Sequence, residues 1–209
     1  MTRALSLCGV ILAAGSSSRM GADKALLPWP PVPLGAPSAG TFLSAAIGSL
    51  GLYTDQVLVV VGDNEPNLMP IIYSAGASLL RNPDPTRGQF SSLQIGLQEV
   101  LNRGRDAAML TLVDRPPVRG QTIEALHEHF ATASARWKWA VIPEYQRKHG
   151  HPIVIGRELL EAFLRAPANS NAREVEHAHQ EYIEYVPVDD PLVAVNINTP
   201  EDYAALAPA

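Results

Sequence analysis

Short runs rich in Val, Ile and Leu alternate along the chain with stretches whose apolar residues recur every three or four positions. That is the pattern of buried strands joined by crossover helices. Residues 8–13, 56–61, 78–81 and 107–113 read as strands. The second of these, Gln-Val-Leu-Val-Val-Val, lacks polar alternation, so both its faces should be covered. Residues 41–50, 65–75 and 89–101 read as helices. The last sets Phe90, Leu93, Leu97, Val100 and Leu101 on one stripe. In 65–75, Pro66 suits a first turn, whereas Pro70 should kink or end the helix.

Farther along, residues 122–133 predict a helix with Ile123, Leu126 and Phe130 facing inward. Residues 139–143 and 152–155 predict strands joined by a polar loop over 144–151. Helices at 157–164 and 172–178, strands at 182–186 and 193–197, and a last helix from Pro200 complete the reading. This order implies an α/β fold, a doubly wound and mostly parallel sheet with helices on both faces. Ligands of such sheets bind beyond the carboxyl ends of the strands. With 209 residues, 46% of them apolar, residues 1–209 should form a single domain around one core. The Pro-, Gly- and Ala-rich stretch 28–40 is either a mobile lid or a long surface loop.

The formal charge of −5 argues against nucleic-acid binding, which needs clustered basic residues. The one cysteine, Cys8, cannot form an internal disulfide and reads as a small buried hydrophobe. The apolar stretch 5–14 leads into a polar loop and does not read as a signal peptide, and no run approaches a membrane span. A cytoplasmic protein without a membrane partner is expected.

The first strand empties into Leu12-Ala13-Ala14-Gly15-Ser16-Ser17-Ser18-Arg19-Met20-Gly21-Ala22-Asp23-Lys24. Small residues let backbone N–H groups converge on an anion, and Arg19 and Lys24 add fixed positive charge. The loop is neither a Walker loop, since Ala25 follows Lys24, nor Gly-x-Gly-x-x-Gly. Asp114 ends the strand 107–113 and precedes Arg115-Pro116-Pro117, which halts pairing at the sheet edge. A carboxylate there suits magnesium, which takes one or two carboxylates plus substrate phosphates; the alternative is a helix cap. The loop Tyr145-Gln146-Arg147-Lys148-His149-Gly150-His151 gathers basic and imidazole groups before Pro152 and could hold a phosphorylated ligand or be a solvated hairpin tip. All six histidines fall in His-x-His pairs, of which only His149/His151 is placed to chelate, without a nearby third ligand for zinc. No Gly-x-Ser-x-Gly elbow occurs.

Leu12-Ala13-Ala14-Gly15-Ser16-x-Ser18-Arg19-Met20-Gly21-x-x-Lys24 resembles the signature of the molybdopterin nucleotidyltransferases, and looks closest to the cytidylyltransferases among them. In the same order follow Asn82-Pro83, Gly88-Gln89-Phe90-Ser91-Ser92-Leu93, Leu112-Val113-Asp114-Arg115-Pro116, Gly150-His151-Pro152, Asn171-Ala172-Arg173 and Asn196-Ile197-Asn198-Thr199-Pro200-Glu201-Asp202. The resemblance implies a Rossmann-like nucleotidyltransferase fold and Mg²⁺-dependent transfer of a nucleoside monophosphate from CTP or GTP to the phosphate of molybdopterin, releasing pyrophosphate. Leu12, Ala13, Ala14, Gly15, Ser16, Arg19 and Lys24 would then bind the nucleotide, with Ser91 and Ser92 either contacting it or satisfying their own helix turn. Arg19, Lys24 and Asp114 would be catalytic, and His149, Gly150, His151 and Pro152 would meet the acceptor. Asn196 and Asn198 would join Asp114 at the metal, unless Asn198 or Thr199 only caps the last helix.

The family's cytidylyl pattern has Asp-x-Asp where this chain has Asn196 and Asn198, as the guanylyl relatives tend to have. The guanylyl pattern Leu-Ala-Gly-Gly is here Leu12-Ala13-Ala14-Gly15, and the methyl of Ala14 would narrow a pocket against a purine. CTP is the expected donor on that ground. Two other readings are a transferase acting on a sugar phosphate or other small phosphorylated acceptor, and a non-catalytic nucleotide-binding module serving a molybdoenzyme or its chaperone.

Overall fold

The computed structural model describes residues 6–17, 20–32 and 38–207. Every residue of β1 (Leu7–Ala13) is buried, and alternate side chains enter two separate cores. Leu7, Ile11 and Ala13 point to one, Cys8, Val10 and Leu12 to the other. β2 (Gln56–Val61) divides in the same way, with Val57, Val59 and Val61 opposite Leu58 and Val60. Both strands therefore dispense with polar alternation, because neither face meets water. On the first face lie α1 (Phe42–Gly51), α2 (Glu65–Ser74) and α4 (Gly120–Ser134). On the second lie α3 (Gln89–Asn102), α5 (Arg157–Arg165) and α6 (Ala172–Ala178). This is the doubly wound α/β architecture that the apolar pattern predicts. Helix α3 crosses β1 closely enough that a Cβ on Gly96 would lie 2.9 Å from the Val10 Cγ1, so only glycine fits there.

β1 pairs in parallel with β2 and with β4 (Ala107–Leu112), and β2 with β3 (Ser78–Arg81). The carboxyl ends of all four strands thus share one edge. β5 (Ala140–Tyr145) and β8 (Ile183–Pro187) pair in parallel with each other. Between β4 and β5 lies β7 (Ile153–Gly156), antiparallel to both, with Leu110 opposite Ile153 and Ala107 opposite Gly156. This reversal has a consequence for function: the segment entering β7, Gly150-His151-Pro152, emerges at the carboxyl end of β4. The polar loop of 144–151 folds as a hairpin, with β6 (Lys148–His149) pairing Glu144 and Tyr145. Its two turn residues, Gln146 and Arg147, both have positive φ, as a tight two-residue hairpin turn demands.

Two expectations need correction. α2 continues through Pro70 rather than stopping there. Pro70 is on the solvent side while Leu68 and Ile72 are buried, so the carbonyl left without a donor can turn to water and the apolar face keeps the helix in place. Residues 193–197 form no strand. Asp190 caps a 3-10 turn over Pro191–Ala194, accepting from the Leu192 N–H, and the chain then runs extended to α7 (Pro200–Ala204). Pro191 cannot donate to a ladder, and 193–197 is tied to its neighbours by isolated backbone bonds, the Ile197 N–H to the Asp114 carbonyl, 2.8 Å, and the His151 N–H to the Val193 carbonyl, 3.0 Å. The ends of the stretch 28–40 are pinned: Trp29 N–H donates to the Gly40 carbonyl, Phe42 N–H to the Leu27 carbonyl, and the Tyr203 hydroxyl to the Pro28 carbonyl. Residues 33–37, on which the choice between lid and surface loop turns, lie outside the described residues.

Candidate active site

After β1 the chain turns outward, with Ala14 half-buried and Gly15 and Ser16 exposed. Its return is built from side chains. The Ser17 hydroxyl accepts from the Lys24 N–H at 3.1 Å, and the Ser17 carbonyl from the Met20 N–H at 2.9 Å. Asn64, just past β2, holds both ends of the loop: its amide donates to the Ala13 carbonyl (2.9 Å) and to the Asp23 carboxylate (2.7 Å), and accepts from the Gly62 N–H. Gly62 itself admits no side chain, since a Cβ would lie 2.8 Å from the Ala14 carbonyl oxygen. Ser18 and Arg19 lie outside the described residues.

The loop delivers Lys24, a buried cation, to the end of β4. Its Nζ is 3.9 Å from the Asp114 Oδ2 and 3.4 Å from the Asn198 Oδ1. The other Asp114 oxygen, Oδ1, is buried without a hydrogen-bond partner. Orphaned buried carboxylate oxygens are rare because they carry the full desolvation cost, which makes Asp114 a candidate ligand. The cap alternative for Asp114 is excluded, since α4 starts only at Gly120 with Arg119 at its cap. Thr199, not Asn198, caps α7. Asp202 accepts from the Asn198 and Thr199 N–H groups, which hold its carboxyl below the usual carboxylate range and leave the Asn198 side chain for Lys24. Asn196 is exposed. Between the two asparagines, Ile197 is buried with Met20 and Phe42. One small apolar cluster thereby joins the opening loop, the start of α1 and the C-terminal asparagines, and the Ile197 N–H bond to the Asp114 carbonyl ties them to the end of β4.

Beside this centre opens a cleft of about 910 Å³. Its floor is apolar, made by Leu12, Leu110, Leu112, Ile142 and Ile153, and its walls are polar. The start of α3 contributes Gly88, Gln89 and Phe90 to one wall. From the hairpin come His149, Gly150 and His151, and from α6 come Arg173, Glu176 and His177. Arg115 reaches in from the β4 end, its guanidinium donating to the Val195 carbonyl. Burial, partly countered by Asp114, lowers the Arg115 pKa. His151 is neutral across the physiological range, pushed down to about 3 by burial and by Arg115. The two rings of His149 and His151 do different work. His149 stacks on Tyr185 at 3.8 Å and contacts Glu144 at 3.2 Å, whereas His151 Nδ1 is buried without a partner. Among the described residues no group of three His, Cys, Asp or Glu could hold a metal.

Several sequence-predicted residues thus converge: Leu12 with His149, Gly150 and His151 in the cleft, and Lys24 with Asp114 and Asn198 beside it. Ser91 and Ser92 do not open onto the cleft. Both are buried, and both hydroxyls accept from the buried Asn82 amide at 2.9 Å. Gly150 proves to be a packing requirement, because a Cβ there would be 1.9 Å from the Val193 carbonyl oxygen. Sequence reasoning missed Asn64 and Glu176. An Asn soon after a strand is too common to signal a hub, and Glu176 sits on a short helix with ordinary solvent-face composition. Cys8 is fully buried and its thiol is pushed up to about 12 by burial, so it is no nucleophile. No helix among the described residues is long and apolar enough to cross a membrane.

The site can be compared with known proteins. The molybdenum cofactor cytidylyltransferase of Escherichia coli is 26% identical over 195 residues, covering 93% of this chain and 92% of its own. A "Probable molybdenum cofactor guanylyltransferase" of Mycobacterium avium is 26% identical over 209 residues, 100% of this chain and 99% of its own. Among solved structures, Rv0371c of Mycobacterium tuberculosis superposes with a TM-score of 0.78 at 23% identity, covering 96% of this chain and 97% of that one. The same protein has been solved in complex with manganese, at a TM-score of 0.74. The profile of the MobA-like NTP transferase domain matches residues 9–184, which takes in the opening loop, Asp114, the hairpin and α6. With a doubly wound sheet, a Gly/Ser loop leaving its first strand and a carboxylate at the end of β4, the chain belongs to the MobA-like NTP transferase family.

Proposed function

We propose that this enzyme transfers a nucleoside monophosphate, CMP in preference to GMP, from the triphosphate to the phosphate of molybdopterin, using Mg²⁺ and releasing pyrophosphate. The observation that carries the reading is the centre at the end of β4: a buried Lys24, an Asn198 amide oxygen, and an Asp114 carboxylate with one buried oxygen unpartnered. All-oxygen donors with one carboxylate suit a hard cation such as Mg²⁺, which completes its shell with water and substrate phosphates. Asp114 and Asn198 would hold it, with Asn196 close by in sequence; a protein of this fold solved with manganese is consistent with a divalent ion. When bound, the ion supplies charge neutralisation across the phosphates.

The chain's own residues do the rest. Exposed backbone at Gly15 and Ser16 faces the carboxyl edge and can take phosphate oxygens, and Lys24, held by Asp114 and Asn198, offsets charge on the departing pyrophosphate. An oxygen of the acceptor phosphate attacks the α-phosphorus in line. The new P–O bond forms as the bond to the β-phosphate oxygen breaks, and the electron pair leaves with pyrophosphate. Phosphoryl-type transfer needs mainly positioning and charge stabilisation. Arg19, from its place in the motif, would add a second cation. The apolar cleft floor favours a flat heterocyclic acceptor over a sugar phosphate.

The choice of CTP rests on the Ala14 methyl, and the Asn196-Ile197-Asn198 segment pulls toward GTP. The relatives above bear both names, so a direct measurement decides. Pyrophosphate release with molybdopterin, Mg²⁺ and each NTP should be fastest with CTP, and Asp114→Ala should abolish it while the fold is kept. Equal rates with CTP and GTP would defeat the steric argument; full activity of Asp114→Ala would overturn the mechanism. A cytoplasmic location and hand-over of product to a molybdoenzyme or its chaperone belong to the same proposal.

A further inference from the structure

The α6 side of the cleft carries a carboxyl that the transfer chemistry does not use. Glu176, on α6, is half-buried and lines the cleft with Tyr185, Gln180 and Arg173. No hydrogen bond or ion pair within the described residues reaches its carboxyl. Burial pushes it up to about 7, and the Tyr185 hydroxyl beside it is raised by burial and by the Glu176 charge. A carboxyl stripped of water and given no cation is kept at a cost, which a ligand donating to both oxygens would remove. The same cleft has apolar Leu12, Leu110, Leu112, Ile142 and Ile153 and the stacked His149–Tyr185 pair in its lining.

We infer that Glu176 reads the acceptor's ring, accepting the two parallel N–H groups of a 2-amino-4-oxopyrimidine edge such as that of a pterin. That edge sets an exocyclic amino N–H beside a ring N–H, spaced to match the two oxygens of one carboxylate. The apolar floor takes the faces of the ring. This deepens the proposed function and rests on its pterin acceptor: the phosphate end is held at the Asp114 side of the cleft and the ring end by α6. Glu176 would be a specificity-determining residue at the far end of the substrate from the reacting phosphorus.

The test uses pterin and lumazine, which differ at position 2, an amino donor in one and a carbonyl in the other. Each is titrated into the full-length protein without nucleotide or metal, following its own fluorescence. The wild type should bind pterin about ten- to a hundredfold more tightly than lumazine, the usual consequence of leaving a buried polar partner facing the wrong group. Glu176→Gln should bring the two within about threefold while CTP and GTP bind as before. A wild type that binds both equally, or a Glu176→Gln protein that keeps the preference, overturns the inference, as does a variant that loses GTP rather than pterin, since the carboxyl would then read the base. Failure is separable from failure of the proposed reaction. Turnover of molybdopterin with no Glu176-dependent pterin preference defeats only this inference; a Glu176-dependent preference without nucleotidyl transfer defeats only the reaction.

Discussion

Gly150→Ala is the sharpest perturbation the structure offers, because the added methyl carbon would sit 1.9 Å from the Val193 carbonyl oxygen and 2.4 Å from its carbon. Both are backbone atoms, so no rotamer change relieves the clash, and one segment must retreat by at least about 1 Å to reach an ordinary contact. Retreat breaks the bond that joins the two segments, His151 N–H to the Val193 carbonyl, 3.0 Å, and the bond that holds Gly150 to β5, its N–H to the Pro143 carbonyl, 3.0 Å. Two lost backbone hydrogen bonds at roughly 0.5–1.5 kcal/mol each and an overpacking cost of about 1–3 kcal/mol give about 4 kcal/mol in all. In a chain of this size that lowers Tm by about 10 °C. Displacement of Val193 is passed along the extended stretch to Ile197 and Asn198, so the centre at Asp114 should loosen too. Differential scanning calorimetry reads the first effect and metal titration the second. Gly48→Ala serves as the control, since Gly48 is exposed on α1 with nothing within 4 Å of an added Cβ; it should stabilise by about 0.5–1 kcal/mol. A Gly150→Ala protein melting within about 2 °C of the parent would refute the reasoning.

Other expectations follow from the same contacts. Mg²⁺ at about a hundred times its Kd should stabilise the wild type by about 2.7 kcal/mol, and should leave the melting of Asp114→Ala unmoved; equal shifts would place the ion elsewhere. Asn82→Ala takes the donor from two buried serine hydroxyls, of which Ser91 keeps its bond to the Gly88 carbonyl, and should cost about 1–3 kcal/mol in urea unfolding, with a change under 0.5 kcal/mol counting against the role of Asn82. For Glu176, the folded value of about 7 lies above the ordinary carboxyl value of 4.5, so the folded state holds the proton more tightly than the unfolded one. Its contribution is therefore present below about pH 4.5 and lost as pH rises through 7. Glu176→Gln should raise stability at pH 8 by about 1–2 kcal/mol, discounted for partial solvent screening, with no gain at pH 4; the opposite pH trend would show that the carboxyl is stabilised as an anion.

By itself the sequence determined which segments become strands and helices, because apolar period and strand length are local properties. β2, β3 and α6 fall where the pattern puts them, and the loop after β1 reads as a candidate anion site because small residues and fixed cations follow a buried strand. Asp114 was legible too, since the prolines behind it leave a carboxylate at a strand end. What no local pattern holds is which strands become neighbours. The antiparallel placement of β7 between β4 and β5 is a choice among pairings of equal hydrophobicity, and it alone carries His149, Gly150 and His151 to the edge where Lys24 and Asp114 lie. The failed strand at 193–197 has the same origin, for its apolar residues are used to pack against the site instead of pairing. Tertiary contact likewise assigned Ser91 and Ser92 to Asn82, exposed the orphaned Asp114 oxygen, and set Glu176 without a partner in the cleft. Such properties depend on which groups the fold brings within a few ångströms, whether 9 residues apart as for Asn82 and Ser91 or 174 as for Lys24 and Asn198, and no local period records that.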